Sequence, residues 1–260
     1  SGSALYVDDI NAPEDTLHAY VGLSEIARGK ISKLDLTQVR SAEGVVDVLL
    51  LADVPGETDI GPVYPGDPIM VNGGDEVQFH GQVIFAVAAT SQVLARKAAR
   101  LGIVEYEEKT PSISIESGLA NQEFVLPSHE QISGVPELAI RNAQRQLAGE
   151  VSTGGQEQMY LEGQVSLCVP LEDGGMSVYT SSQNPAEGQK LVAEVLKIPM
   201  SMVTVEVRRM GGAFGGKETN ANQWACIAAL LANKVKRPVK LRLARADDIK
   251  VTGKRHHFLS

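Results

Sequence analysis

The sequence predicts an α+β protein in two units, residues 1–110 and 151–260, joined by a connecting segment over 111–150. Three observations carry that expectation. Short β-rich runs surround a single helical pattern in the first hundred residues, period-two and helical runs alternate again after residue 150, and between them lies a Pro- and Ser-bearing stretch of weak periodicity. A length of 260 residues gives each unit room for its own core.

In the first unit, residues 16–24, 45–53, 68–71, 82–90 and 103–108 read as strands, separated by turn-rich stretches such as PGETDIGP and NGGDE. Between the last two, SQVLARKAARLG predicts a helix with Ser91 as N-cap, Val93, Leu94 and Leu101 as apolar positions and Gly102 as the stop. Strand, helix and strand in succession suggest a βαβ crossover. Over 111–150 only LAIRNAQRQLAGE admits a short helix, and the stretch reads as a long connection.

In the second unit, residues 159–171 and 176–182 alternate as strands around the turn EDGG. Residues 185–198 place Leu191, Val195, Leu196 and Ile198 near helical spacing, and 202–209 alternate Val203, Val205 and Val207 with polar residues. Residues 219–238 give the strongest helical pattern, with Trp224, Ile227, Ala228, Leu231 and Val235 on one face and Lys234, Lys236 and Arg237 in the last turn before Pro238. Residues 239–260 begin a further strand that stops in mid-pattern, so a truncated domain is expected.

A net charge of −8 argues against nucleic acid as a partner, since such proteins neutralise phosphates with excess Lys and Arg. No apolar run approaches the roughly 20 residues of a membrane span, and residues 1–15 lack the basic and apolar regions of a signal peptide. A cytoplasmic protein without membrane contact is expected. Cys168 and Cys226, the only cysteines, are too few for a disulfide framework or for the four thiolates of an iron–sulfur cluster. The histidines, His18, His80, His129, His256 and His257, lack helical ligand spacing, so a metal held by protein side chains is not expected.

The stretch RRMGGAFGGKETN, 208–220, joins a strand to the strongest helix. Such a turn aims backbone N–H groups and the positive helix end at one point, which suits an oxyanion. Gly211, Gly216 and Lys217 come close to a P-loop, but Glu218 replaces the hydroxyl residue that holds magnesium, and its charge would repel phosphates. Gly211, Gly212, Gly215 and Gly216 also miss the G-x-G-x-x-G register. Both ATP and a dinucleotide are disfavoured.

RRMGGAFGGKET resembles the signature loop of the molybdopterin-binding subunit of the xanthine dehydrogenase and aldehyde oxidase family. GSALYVDDI near the start, EVQFHGQVIFAVAAT, GGQEQMYLEGQ at 154–164, SSQNP at 181–185 and RPVKLRLARADDIKVTGKRHHF resemble further family blocks in family order. The resemblance implies an N-terminal α/β-hammerhead domain over 1–110 and, over 151–260, the first part of a molybdenum-cofactor domain. It further implies part of a xanthine dehydrogenase that hydroxylates hypoxanthine or xanthine with oxygen from water at a molybdenum–molybdopterin centre, the alternatives being an aldehyde oxidase-type molybdenum hydroxylase or a non-catalytic assembly or binding module. Electrons would leave through [2Fe–2S] clusters to FAD, carried by partner subunits or domains of an oligomeric enzyme.

Site roles follow from the resemblance residue by residue. Gln183 matches a glutamine that donates to an oxygen ligand of molybdenum, and Phe214 and Gly215 match the loop that nears the metal through its backbone. Gly211 and Gly212 belong to the same turn, facing the pterin. Glu218 matches a glutamate that binds the purine, where many aldehyde oxidases have an apolar residue. Lys217 is assigned to structure or solvent, and Trp224, Met159 and Tyr160 to packing. Ala213 stands where relatives often have a third glycine, which is tolerated unless that position needs a positive φ. The catalytic glutamate matches nothing here and would follow Ser260, so no catalytic residue is assigned and the isolated chain is expected to be inactive.

Overall fold

In the computed structural model, which describes residues 2–260, the chain divides into two compact units. One comprises the residues up to Thr110 with Gln158–Gly253, the other Pro111–Glu157 with Lys254–Ser260. In chain order, the first unit opens with β1 (Leu17–Leu23), β2 (Gly29–Asp35), α1 (Thr37–Ser41), β3 (Val45–Leu49), β4 (Glu76–Val77), β5 (Val83–Ala89), α2 (Gln92–Ala99) and β6 (Ile103–Glu108). The other unit contributes α3 (Ile115–Asn121), α4 (Pro136–Asn142) and β7 (Ser152–Thr153). The first resumes with β8 (Val165–Pro170), β9 (Met176–Thr180), α5 (Pro185–Leu196), β10 (Val203–Glu206), α6 (Asn220–Val235), β11 (Val239–Arg242) and α7 (Arg245–Val251), and β12 (Phe258–Leu259) pairs with β7.

The larger unit is organised on a seven-stranded mixed sheet of order β10-β9-β8-β11-β1-β5-β3. β1 lies parallel to β11, with Leu17 opposite Val239 and Ala19 opposite Leu241. The break in pattern between 111 and 150 is therefore not a break in the sheet, which takes strands from both sides of it. Period-two alternation on β1 sends Leu17, Ala19 and Val21 to a core shared with α5 and α6. Tyr20 enters a second core, with Val48, Phe85, Val87, α2 and the small sheet β4-β2-β6.

Several expectations change once tertiary partners are in place. β5 and β6 belong to different sheets, so the strands flanking α2 form no βαβ crossover. Ser91 does cap α2, accepting from Leu94 N at 3.2 Å, but the helix buries Ala95, Ala98 and Ala99 while Val93 is 63% exposed. Small residues let the helix approach the sheet closely, so Val93 is left outside while Leu94 packs, half-buried, at the edge of the core. The expected strand at 45–53 ends at Leu49, where the Asp53 carboxylate takes Leu50 N–H and closes a turn. Residues 68–71 form no named strand: Pro68 bridges to Asp59, and Ile69 N and Val71 N donate to Thr58 O and Val83 O, both at 2.8 Å. β2 was not anticipated, because it carries Lys30 and Lys33 on its wet side and its pairing is supplied by β6.

α5 follows the expected pattern. Asn184 accepts from Glu187 N at its start, and Lys197 adopts φ 55° at its end. α6 buries the expected Trp224, Ile227, Ala228 and Leu231, but also Ala225, Cys226, Ala229, Leu230 and Ala232. It is covered nearly all round, by the sheet and by α5, rather than on one face. Lys234 does not simply complement the helix end: it pairs with Asp47 at 3.2 Å and Asp53 at 3.1 Å. Burial pushes both the Cys168 and the Cys226 thiols well above their ordinary range, which makes them packing groups. No helix among the described residues is long and apolar enough to cross a membrane.

In the smaller unit, α3 is capped by Ser114, which accepts from Ser117 N, and α4 starts on Pro136. The stretch read as connection thus contains two short helices.

The buried Tyr20 hydroxyl donates to Asp247 and accepts from Ala244 N at 3.1 Å, which joins β1 to α7. Burial first, then the Asp247 carboxylate, pushes its pKa up to about 12. A raised folded-state value stabilises fully below the unfolded pKa near 10, and that contribution is lost as pH rises through about 12. Between pH 10 and 12 the chain should therefore lose about 2 kcal/mol more stability than its Tyr20→Phe variant, as measured by urea unfolding across that range.

Candidate functional site

The turn 211–216 leaves β10 and enters α6, so its position is fixed by the edge of the large sheet and by the most buried helix. Three of its residues have positive φ: Gly212 at 93°, Phe214 at 54° and Gly215 at 88°. Ala213 is not among them, so its methyl group is unstrained. Phe214 is 76% exposed, and a phenylalanine in the left-handed region costs of order 1–3 kcal/mol, so its surroundings must hold it there. Gly211 and Gly216 answer a different need. A Cβ on Gly211 would lie 2.6 Å from Glu162 Cβ, and one on Gly216 2.8 Å from the Tyr160 ring.

Gln183 and the turn are brought together. The Gln183 Oε1 accepts from Gly215 N at 3.2 Å and from Lys217 N at 3.3 Å, while its own N–H donates to Lys217 O at 2.9 Å. Two N–H donors at the oxygen fix which way round the amide lies, leaving its NH₂ as an outward donor on an exposed side chain. Gly216 N donates to Ala213 O, and Gly211 N to Glu162. Among the described residues, the N–H groups of Gly212, Ala213 and Phe214 have no acceptor. Three successive amides without an acceptor, in a turn that the Gln183 side chain holds at Gly215 N, are donors of the kind that suits ligand oxygens.

Glu218 follows directly at the approach to α6, exposed to solvent. Its charge acts on Glu187, whose carboxyl is raised by burial, opposed by the Asn222 hydrogen bond and Lys190, and pushed a little further by Glu218. Glu187 in turn accepts from Asn222 Nδ2 at 2.6 Å, locking α5 to α6 behind the turn.

The sequence reading missed the support beneath the turn. Lys217, left open between structure and solvent, is 0% exposed. Its ammonium donates to Glu162 O and to Ser181 Oγ, both at 2.7 Å, stands 3.7 Å from Glu162 Oε2 and lies 4.6 Å from the Tyr160 ring centre. Burial lowers its pKa, offset by attraction to Glu162 and Asp248. Tyr160, 1% exposed, packs as expected and also donates to Asp248 at 2.6 Å. Gln164 links Tyr160 to Gly216 O at 3.1 Å. Met159 does not pack as expected: it has φ 50° and is 61% exposed. No local pattern marks these partners, since Glu162 and Lys217 lie 55 residues apart. Among the described residues, no group of three or more His, Cys, Asp or Glu side chains is placed to hold a metal ion.

Comparison with known proteins bears on this geometry. Residues 1–110 match the model described as aldehyde oxidase and xanthine dehydrogenase, a/b hammerhead domain, and residues 120–260 match the molybdopterin cofactor-binding domain. The chain is 37% identical over 263 residues to a xanthine dehydrogenase of Drosophila pseudoobscura pseudoobscura, covering 100% of this chain and 19% of that protein. It is 38% identical over 262 residues to aldehyde oxidase 1 of Bos taurus, again covering 100% and 19%. The chain thus spans about a fifth of the length of the curated relatives it matches. Its fold is like that of the aldehyde oxidoreductase from Desulfovibrio gigas, with a TM-score of 0.83 at 24% identity, over 97% of this chain and 30% of that one.

Proposed function

Because the chain belongs to the aldehyde oxidase and xanthine dehydrogenase family, we propose that the turn 211–216 and Gln183 form one wall of a molybdenum–molybdopterin site in a purine-hydroxylating enzyme. The observation that carries this reading is the run of Gly212, Ala213 and Phe214 N–H groups without an acceptor among the described residues, in the turn that Gln183 holds at Gly215 N and Lys217 N. These residues fit a group whose outer atoms are oxygens, and a Cβ built on Gly215 meets nothing within 4 Å, so ligand atoms can approach the backbone there. When bound, the cofactor supplies water-derived oxygen and takes up the two electrons of substrate oxidation. The chain's residues contribute orientation and donor hydrogen bonds, fixed before substrate arrives.

Glu218 favours a purine over an aldehyde. An exposed carboxylate next to this turn accepts hydrogen bonds from ring N–H groups, which an aldehyde lacks. Relatives of similar identity bear both names, so identity alone does not choose between them. In the complete enzyme, Glu218→Val should lower kcat/KM for hypoxanthine or xanthine by about 10- to 100-fold, the range for a hydrogen bond to a charged group, with aldehyde turnover changed far less. Equal losses on both substrates would count against the purine assignment. The base that starts the reaction is assigned to residues outside this chain, as are the [2Fe–2S] clusters and FAD. Molybdenum analysis of the complete enzyme, with turnover assayed alongside the 260-residue chain, tests that division.

A further inference from the structure

Two ties of different kinds hold the turn. At its Gly215 and Lys217 end the tie is neutral, through Gln183. At its Gly211 end the tie is ionic and buried. The Glu162 carboxylate accepts from Gly211 N at 2.8 Å and Ser181 Oγ at 2.6 Å, Glu162 N donates to Gly211 O at 3.2 Å, and Lys217 Nζ returns to Ser181 Oγ and to Glu162 O. The last residue of the loop thus reaches back to the partner of its first glycine and closes a ring beneath the amides.

We propose that the Lys217–Glu162 pair is a positioning device that fixes the Gly212, Ala213 and Phe214 N–H groups toward an oxygen-bearing ligand group. This inference rests on the turn being a cofactor wall. A buried ion pair is an inefficient source of stability, because removing both charges from water costs several kcal/mol per ion. Here the satisfaction is also incomplete, since Glu162 Oε1 is buried with no hydrogen-bond partner among the described residues. What the pair supplies is geometry: Phe214 keeps its left-handed backbone only between two fixed ends, and the ring provides one of them.

The test uses two variants of the complete enzyme. Glu162→Gln keeps an oxygen for Gly211 N–H and removes the charge, whereas Glu162→Leu combined with Lys217→Met removes both charges together, so that neither is left buried alone. Hydrogen exchange of segment 208–218, followed by mass spectrometry, is compared with that of residues 220–235, alongside molybdenum per chain. The double variant should exchange at least tenfold faster at Gly215, an amide held by Gln183 and touched by neither substituted side chain, with 220–235 unchanged and molybdenum content down at least tenfold. Glu162→Gln should fall between it and the wild type.

Turn exchange unchanged in the folded double variant overturns the positioning role and leaves the cofactor reading standing. Faster exchange in both segments alike also overturns it, since a purely structural pair would act that way. Faster turn exchange with full molybdenum content overturns the link between pair and ligand. If the wild-type enzyme itself contains no molybdenum, the reading of the turn as a cofactor wall fails instead. Should the double variant not fold, Glu162→Gln decides alone by the same comparison.

Discussion

Replacing Gln183 with alanine in the complete enzyme is expected to lower kcat by about 10²–10³-fold, the usual cost of removing one preorganised donor from a reacting centre. Two effects combine. The outward NH₂ is lost, and with it the oxygen that gathers Gly215 N and Lys217 N. Gln183→Glu separates them, because a carboxylate still accepts from both amides but donates nothing. Its turn should keep the wild-type hydrogen exchange while kcat stays low. Molybdenum per chain, measured on both variants, distinguishes lost turnover from lost cofactor, and a Gln183→Ala enzyme with wild-type kcat would remove this residue from the proposed site.

Lys217→Met should destabilise the 260-residue chain by about 3–5 kcal/mol, the range found when one member of a buried pair is removed. The ammonium is fully enclosed and serves Glu162 and Ser181 together, so the substitution leaves the Glu162 carboxylate without its cation. Trp224, the only tryptophan and itself buried, reports unfolding by fluorescence. With a urea slope of about 1–3 kcal/mol per molar or somewhat more, the midpoint should fall by about 1 M or more. A midpoint shift under a few tenths of a molar would show that Glu162 is satisfied without Lys217.

Much of the site was legible because its signals are local. Four glycines between a period-two strand and a helical pattern specify a turn outside regular hydrogen bonding, and the observed φ values of Gly212 and Gly215 are of the kind that glycine accommodates without strain. Gln183 was named through its family block, and its contact with the turn spans 32 and 34 residues that no periodicity encodes. Lys217 shows the opposite case. A lysine in a glycine turn is ordinarily a solvated side chain, and only the arrival of Glu162, Ser181 and Tyr160 makes its burial tolerable.

The sequence by itself determined the class of fold, most helix and strand positions, the strand-to-helix glycine turn and the family. These follow from side-chain period, capping and glycine placement, which act within a few residues of one another. Tertiary structure alone decided that β1 pairs with β11 across the break between 111 and 150, that α2 buries its alanines and that α6 is covered on nearly every side. It also decided that a lysine closes a buried ring beneath the turn. Burial and ion pairing depend on which distant segments share a volume, and the free energy of a charge or an apolar side chain is set by that volume rather than by its neighbours in sequence.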